Sequence, residues 1–239
     1  MPTSVAAVAA PIAYGVEDIY FSVVHVSVST GAIKGQGEHM KVVVMGATGT
    51  IGKAVVDALA KRGHEVLSAS RKSAVRVDIE DTVTVSALFD GTKNVDAVVC
   101  CAGGAGWGPL GNLTDDDFAL SLRYKLMGQV NVIRVAMGKV NAGGSITVTS
   151  GVLATQPMPG SAAVSLVNAG LEGFVRAAGL EMTRGLRVNV VSPPWVKETL
   201  RSMKMDESKG LAASDVAKAY VAAVEGQSNG KVLEAARFV

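Results

Sequence analysis

Like charges are nowhere concentrated in this chain of 239 residues: 23 Lys and Arg and 21 Asp and Glu are mixed along it, for a formal net charge of +2. A nucleic acid or an anionic membrane surface needs a run or stripe of basic charge, so neither partner is expected. Cysteine is nearly absent. The only two, Cys100 and Cys101, are adjacent in an apolar run, which argues against a disulfide framework and suits buried thiols in a reducing, cytoplasmic compartment. The three histidines, His25, His39 and His64, stand at no metal-ligand spacing, so no metal is expected. Repeats and low-complexity tracts are also lacking. No apolar stretch reaches the about 20 residues that a membrane span needs.

Residues 1–39 are read as an N-terminal extension, weakly ordered. They hold apolar patches, Val5 to Ala13 and Tyr20 to Val28, but no arginine and a single lysine, so the basic start of a cleavable signal is missing. Met40 stands directly before the first convincing strand. Translation starting there is one reading of the segment upstream; a native peptide from before Met40, found by mass spectrometry, would rule it out.

What is present is enough apolar material, 49% of residues, for one sizeable core. From Lys41 onward, short β-branched runs alternate with helical patterns, the signature of βαβ units on a parallel sheet covered on both faces. Seven strands are predicted: Lys41 to Met45, Glu65 to Ala69, Val75 to Asp78, Ala97 to Cys101, Ser145 to Thr149, Arg187 to Val191 and a weak one near Val232. The fold class is therefore α/β, a Rossmann-type doubly wound parallel sheet, with residues 40–239 as a single domain. A first helix is predicted over Thr50 to Arg62, burying Ile51, Val55 and Leu59, with Gly63 as its stop. Longer helices follow Thr114 and Ser161. The second is rich in small residues, among them Ala169, Gly170 and Gly173, which permit close packing either inside the subunit or across a dimer interface.

The first strand runs into Gly46-Ala47-Thr48-Gly49-Thr50-Ile51-Gly52, which opens directly into a helix. Glycines permit the tight turn, the approach of backbone N–H groups to a pyrophosphate and the seating of the helix on the strand. An ordinary strand-to-helix turn is the bland alternative. At the end of the second strand, an NAD site places a carboxylate for the ribose 2′-hydroxyl, whereas an NADP site needs cations for a 2′-phosphate. The chain reads Ser70-Arg71-Lys72-Ser73 there, so NADP(H) is the expected cofactor unless this is merely a solvated basic turn. Asp78 is placed either to touch the adenine amino group or to cap the next helix.

These features resemble the short-chain dehydrogenase/reductase family across residues 40–239. Cys101-Ala102-Gly103-Gly104 is similar to the family's Asn-Asn-Ala-Gly segment, and Leu113 to Phe118 to the start of its next long helix. Leu171-Glu172-Gly173-Phe174 resembles the helix after the active-site tyrosine, and Arg187 to Val196 the sixth strand with its cofactor-covering loop. The resemblance implies cofactor contacts at Ala102, Gly103, Pro193 and Val196, a small carbonyl or alcohol as substrate, and a homodimer or homotetramer. In that loop the usual glycine is Pro194, which has no N–H to offer.

The family's chemistry uses a tyrosine as proton donor, a lysine that lowers its pKa and a serine at the substrate oxygen. Counting back from Leu171, the resemblance puts Val164 at the tyrosine, Asn168 at the lysine and Gly151 at the serine, with Ser150 beside it. No Tyr-x-x-x-Lys occurs anywhere. Where the family places an asparagine, before Leu126-Met127-Gly128, this chain has Lys125. Lysine and asparagine thus look exchanged, which makes Lys125, Asn168 and Ser150 the candidate catalytic residues. The alternative is a snorkelling surface lysine and a helix-surface asparagine. Tyr124 is expected about 100° around the helix from Lys125, a poor replacement donor. Two functions follow: an NADP(H)-dependent oxidoreductase with a non-standard site, or a non-catalytic NADP(H)-binding sensor.

Overall fold

The computed structural model describes residues 39–239; the expected extension lies outside them except for its last residue. Seven parallel strands form one sheet in the order β3-β2-β1-β4-β5-β6-β7, the Rossmann-type doubly wound arrangement expected from the alternating pattern. The strands are β1 (Lys41–Met45), β2 (Glu65–Ser70), β3 (Val75–Arg76), β4 (Ala97–Cys100), β5 (Ser145–Thr149), β6 (Arg187–Ser192) and β7 (Lys231–Glu234). Helices are α1 (Thr50–Lys61), α2 (Thr82–Asp90), α3 (Asp115–Leu120), α4 (Gly128–Ala136), α5 (Ala162–Glu181), α6 (Lys197–Ser202) and α7 (Ala213–Glu225). Among the described residues no helix is long and apolar enough to cross a membrane.

Strand pleating distributes the core. In β1, Val43 and Met45 face a core shared with α2, α4 and α5, while Val42 and Val44 face a second core shared with α1 and α7. All four are fully buried, so this strand is apolar on both faces, as a sheet covered on both sides requires. β3 is shorter than its sequence pattern. Its predicted end is drawn into a turn, where Thr84 Oγ1 donates to the Asp78 carbonyl and Asp78 Oδ1 accepts from the Glu80 N–H.

Two long helical segments begin as read. Thr114 caps α3 reciprocally with Asp117, and Ser161 precedes α5. Between α3 and α4 the chain does not continue as α-helix: Ser121–Met127 form a wide, π-helical turn closed by the Gly128 N–H on the Arg123 carbonyl. Such turns insert a residue and re-aim the side chains around them. Lys125 lies within it.

Strand order sets where a ligand can sit. β1 is followed by β2 on one side and pairs with β4 on the other, so the connections diverge above the carboxyl ends of β1 and β4. A crevice opens at that switch point. Pairing of β4 with β5 stops at Val99 and Thr147, and beyond it Gln129 of α4 completes the strand: its amide accepts from Thr149 N–H at 2.7 Å and donates to the Thr149 carbonyl at 2.8 Å. This buried clamp fixes the helix that follows Lys125 to the strand that precedes Ser150.

Candidate active site

The crevice has two connected halves that share Gly103. The first, about 300 Å³, is lined by Gly46, Thr48, Gly49, Ser70, Arg71, Lys72, Asp78, Ala102, Gly103 and Tyr124, among others. The second, about 230 Å³, is lined by Lys125, Ser150, Val164, Asn168, Pro193, Pro194, Trp195 and Val196, among others. The candidate residues are therefore brought together with three exceptions. Thr50, Ile51 and Gly52 do not line either half by their side chains: Thr50 faces a separate groove beside α1 and Ile51 is half-buried against the core.

Gly52 has a different task. A Cβ there would stand 2.1 Å from the Gly46 carbonyl oxygen, so glycine is demanded by the seating of α1 on the loop. Gly46, at φ +80°, would push a Cβ to 2.7 Å from Ala102 N. Both positions refuse a side chain, which brings two strand ends and a helix start within backbone contact. No side chain caps α1 and no acidic residue lies in its first turn, so its first N–H groups have no intrahelical partner and a positive end faces the crevice. That is a cradle for a phosphate.

Arg71 and Lys72 are exposed at its rim. Ser70 Oγ accepts from the Lys72 N–H at 3.1 Å, which shapes the basic turn from below. The Arg71 guanidinium lies over the Tyr124 ring at 5.1 Å, a cation–π distance. Asp78 lines the same half but does not cap α2; Asp81 does, accepting from Val83 N–H. Burial pushes the Tyr124 phenol up, and Arg71 only partly offsets it. Burial likewise drives the thiols up, Cys100 to about 11 and Cys101 to about 12, which leaves both as inert thiols.

The second half holds Lys125 and Asn168. Lys125 is half-buried, and the stem crosses the crevice where a Cβ on Gly103 would come within 2.8 Å of its Cδ. Its Nζ donates only a long bond, 3.4 Å, to the Ser150 carbonyl. Burial lowers its pKa to about 8. Asn168 is no helix-surface residue: it is 3% exposed, and among the described residues its Oδ1 has no hydrogen-bond partner. Gly151 leaves room for it, because a Cβ there would lie 3.1 Å from Asn168 Nδ2.

Ser150 departs from its expected use. Its hydroxyl donates to Glu172 Oε1 at 2.9 Å, so its proton is already committed and cannot polarise a substrate oxygen. Glu172 is buried, one turn beyond Asn168 on α5, and also meets Arg176 at 3.4 Å. The sequence reading missed Gln129 and Glu172; the signal for Glu172 was its spacing of four from Asn168, which puts both on one helix face.

A family model described as enoyl-(acyl carrier protein) reductase matches residues 41–228. The chain belongs to this family of short-chain dehydrogenase/reductases. The 3-oxoacyl-(acyl-carrier-protein) reductase of Rickettsia bellii is 26% identical over 193 residues, 73% of this chain and 80% of that protein. Among solved structures, the protein lin1944 from Listeria innocua is 33% identical with a TM-score of 0.78, over 82% of this chain and 98% of that one. A small-chain dehydrogenase in complex with NADPH has the same fold at 24% identity, with a TM-score of 0.72 over 82% of this chain and 96% of its own.

Proposed function

We propose that this chain is an NADP(H)-dependent oxidoreductase acting on a small carbonyl compound or the corresponding alcohol, with Lys125 as the group that meets the reacting oxygen. One observation carries the reading: a desolvated lysine and a buried asparagine with a free Oδ1 share the second half of the crevice. For the cofactor, the α1 terminus, Arg71 and Lys72 supply the donors that a pyrophosphate and a 2′-phosphate require. The family, and a neighbour of like fold solved with NADPH, support the same choice.

NADPH held by these donors would supply a hydride from C4 of its nicotinamide. Protonated Lys125 donates to the substrate oxygen, stabilises negative charge growing there and passes a proton from Nζ to that oxygen. The carbonyl thus gains a hydride at carbon and a proton at oxygen, and the neutral amine recovers its proton from water. An amine with a pKa near working pH does this well. Asn168 Oδ1 accepts from a hydroxyl of cofactor or substrate and loses its unpaired state. Self-association is proposed through α5, whose Leu166, Ala169, Gly170 and Gly173 are exposed; a monomer at every concentration in sedimentation would refute it.

The second reading, a non-catalytic NADP(H) sensor, is favoured by Val164 in the proton-donor position and by the committed Ser150 proton. Calorimetric titration with NADPH and NADH, then NADPH oxidation across a panel of aldehydes and ketones, separates the two. NADPH is expected to bind more tightly than NADH, with Arg71→Ala weakening NADPH by about 1–3 kcal/mol and Lys125→Ala abolishing turnover while binding persists. Binding without turnover in the unaltered protein would establish the sensor.

A further inference from the structure

The walls of the second half are apolar where the family's chemistry would place a phenol. Val152, Leu153, Val164, Pro193, Pro194 and Trp195 enclose it, and its polar side chains are Lys125, Ser150, Asn168 and Thr199. Among the described residues no arginine and no carboxylate line it. An anionic substrate group finds no bidentate partner there, and the one ammonium is needed at the reacting oxygen. About 230 Å³, part of which the nicotinamide end of a bound cofactor would take, is below the usual range for drug-sized ligands, about 300–1,000 Å³, and leaves room only for a compact body.

The mouth carries an independent signal. The two tryptophans of the chain, Trp107 and Trp195, come from loops 88 positions apart in sequence yet meet with ring centroids 5.9 Å apart and planes at 75°. Trp195 lines the cavity. Trp107 is 43% exposed, and among the described residues no other aromatic side chain is as open. Its loop is held in place: Gly108 N–H donates to the Gly160 carbonyl at 3.0 Å, and the indole lies against Gly160, where a Cβ would stand 3.4 Å from Trp107 Nε1. At φ +89°, glycine is favoured at 160 on backbone grounds as well. An open indole fixed edge-to-face beside a small apolar cavity offers a free aromatic face to whatever enters.

We infer that Trp107 and Trp195 form a specificity clamp that selects uncharged carbonyl compounds bearing a ring-sized apolar body. This rests on the oxidoreductase reading for its chemistry but not for its binding, so the two fail separately.

The test uses the intact protein saturated with NADP+, so that no hydride is transferred, and follows tryptophan emission during titration with propanal, cyclohexanecarbaldehyde, benzaldehyde and 2-carboxybenzaldehyde. The two neutral ring aldehydes are expected to change the emission and to bind about tenfold more tightly than propanal, the scale of one aromatic pair plus ring burial. The carboxylated ring is expected to bind more weakly than benzaldehyde. In Trp107→Ala the tenfold ratio should fall toward one, and in Trp107→Phe most of it should return. Unchanged far-ultraviolet circular dichroism and NADP+ affinity report that each variant is folded, since Trp107 lines neither half of the crevice. Equal affinity for propanal and benzaldehyde, preference for the carboxylated ring, or a ratio untouched by Trp107→Ala would each overturn the clamp. Trp107-dependent ring binding with no NADPH oxidation by any aldehyde would leave the clamp standing and sink the oxidoreductase reading instead.

Discussion

Lys125 is a residue that stability alone would not choose. Burial holds its pKa at about 8 against an ordinary 10.5, so below that pH the folded protein carries a cation it would rather not hold. The sign follows from linkage: the folded pKa is depressed, so the cost is full below about pH 8 and is relieved as pH rises toward the unfolded value. Lys125→Met is accordingly expected to stabilise the protein at pH 7 by about 1–2 kcal/mol, discounted for partial exposure, and to abolish carbonyl reduction. Urea denaturation and an NADPH oxidation assay check the two halves. The same proton predicts that the reduction rate is flat below about pH 8 and falls as pH rises through it. A rate that climbs above pH 8 would remove Lys125 from the proton-donor role. For Ser150 the opposite pattern is expected: Ser150→Ala strips a donor from buried Glu172 and costs about 1–3 kcal/mol of stability, with NADPH affinity little changed in calorimetry. That Lys125 and Asn168 would share a site was suggested by the family resemblance, and the structure places both on one cavity. The Ser150–Glu172 bond could not, because whether a hydroxyl turns to solvent, substrate or a carboxylate is decided by side-chain packing that no short spacing encodes.

At the scale of elements, local chemistry that is self-contained was readable. The glycine loop into α1, the helix start after Thr114 and the small-residue helix α5 all depend on residues within one or two turns of one another. Gly52→Ala tests the first of these. Its Cβ would meet the Gly46 oxygen at 2.1 Å, so α1 must lift from the sheet, and a loss of about 3 kcal/mol or more is expected in denaturant unfolding. Two element-level features escaped. β3 ends early because Asp78 and Thr84 close a turn that competes with the ladder. The π-helical turn at Ser121–Met127 is invisible to periodicity, because one inserted residue shifts the apolar phase less than a single short segment can reveal.

Across the molecule, the alternation of strands and helices sufficed for the sheet, since each βαβ unit has one favoured hand and one way to cover its strands. What it could not supply is closure between parts distant in sequence. His64 and Arg62, at the end of the first βα unit, meet Glu225 at the end of α7: Glu225 Oε1 lies 2.6 Å from Arg62 Nε and 2.9 Å from His64 Nε2. Burial would raise the Glu225 pKa, but these two partners outweigh it and hold it low. Its contribution is therefore present above the ordinary carboxylate range and is lost as pH falls through the depressed value. Glu225→Gln is expected to cost about 1–3 kcal/mol at pH 7, with a smaller difference at pH 4, when urea midpoints are compared at both. The tryptophan mouth is a closure of the same kind, joining loops after β4 and β6 that nothing in either segment announces.

The wide turn before α4 has a last consequence, for how such a site could change hands. Tyr124 and Lys125 are consecutive in the chain, yet one walls the adenosine-sized half of the crevice and the other its reactive half. With α4 held by its Gln129 clamp, loss of one residue between Lys125 and Gly128 would advance the preceding turn by one position, about 100° around the helix. Tyr124 would then occupy the place of Lys125, so a single deletion, with no substitution, would present a phenol in place of an amine to the reactive half.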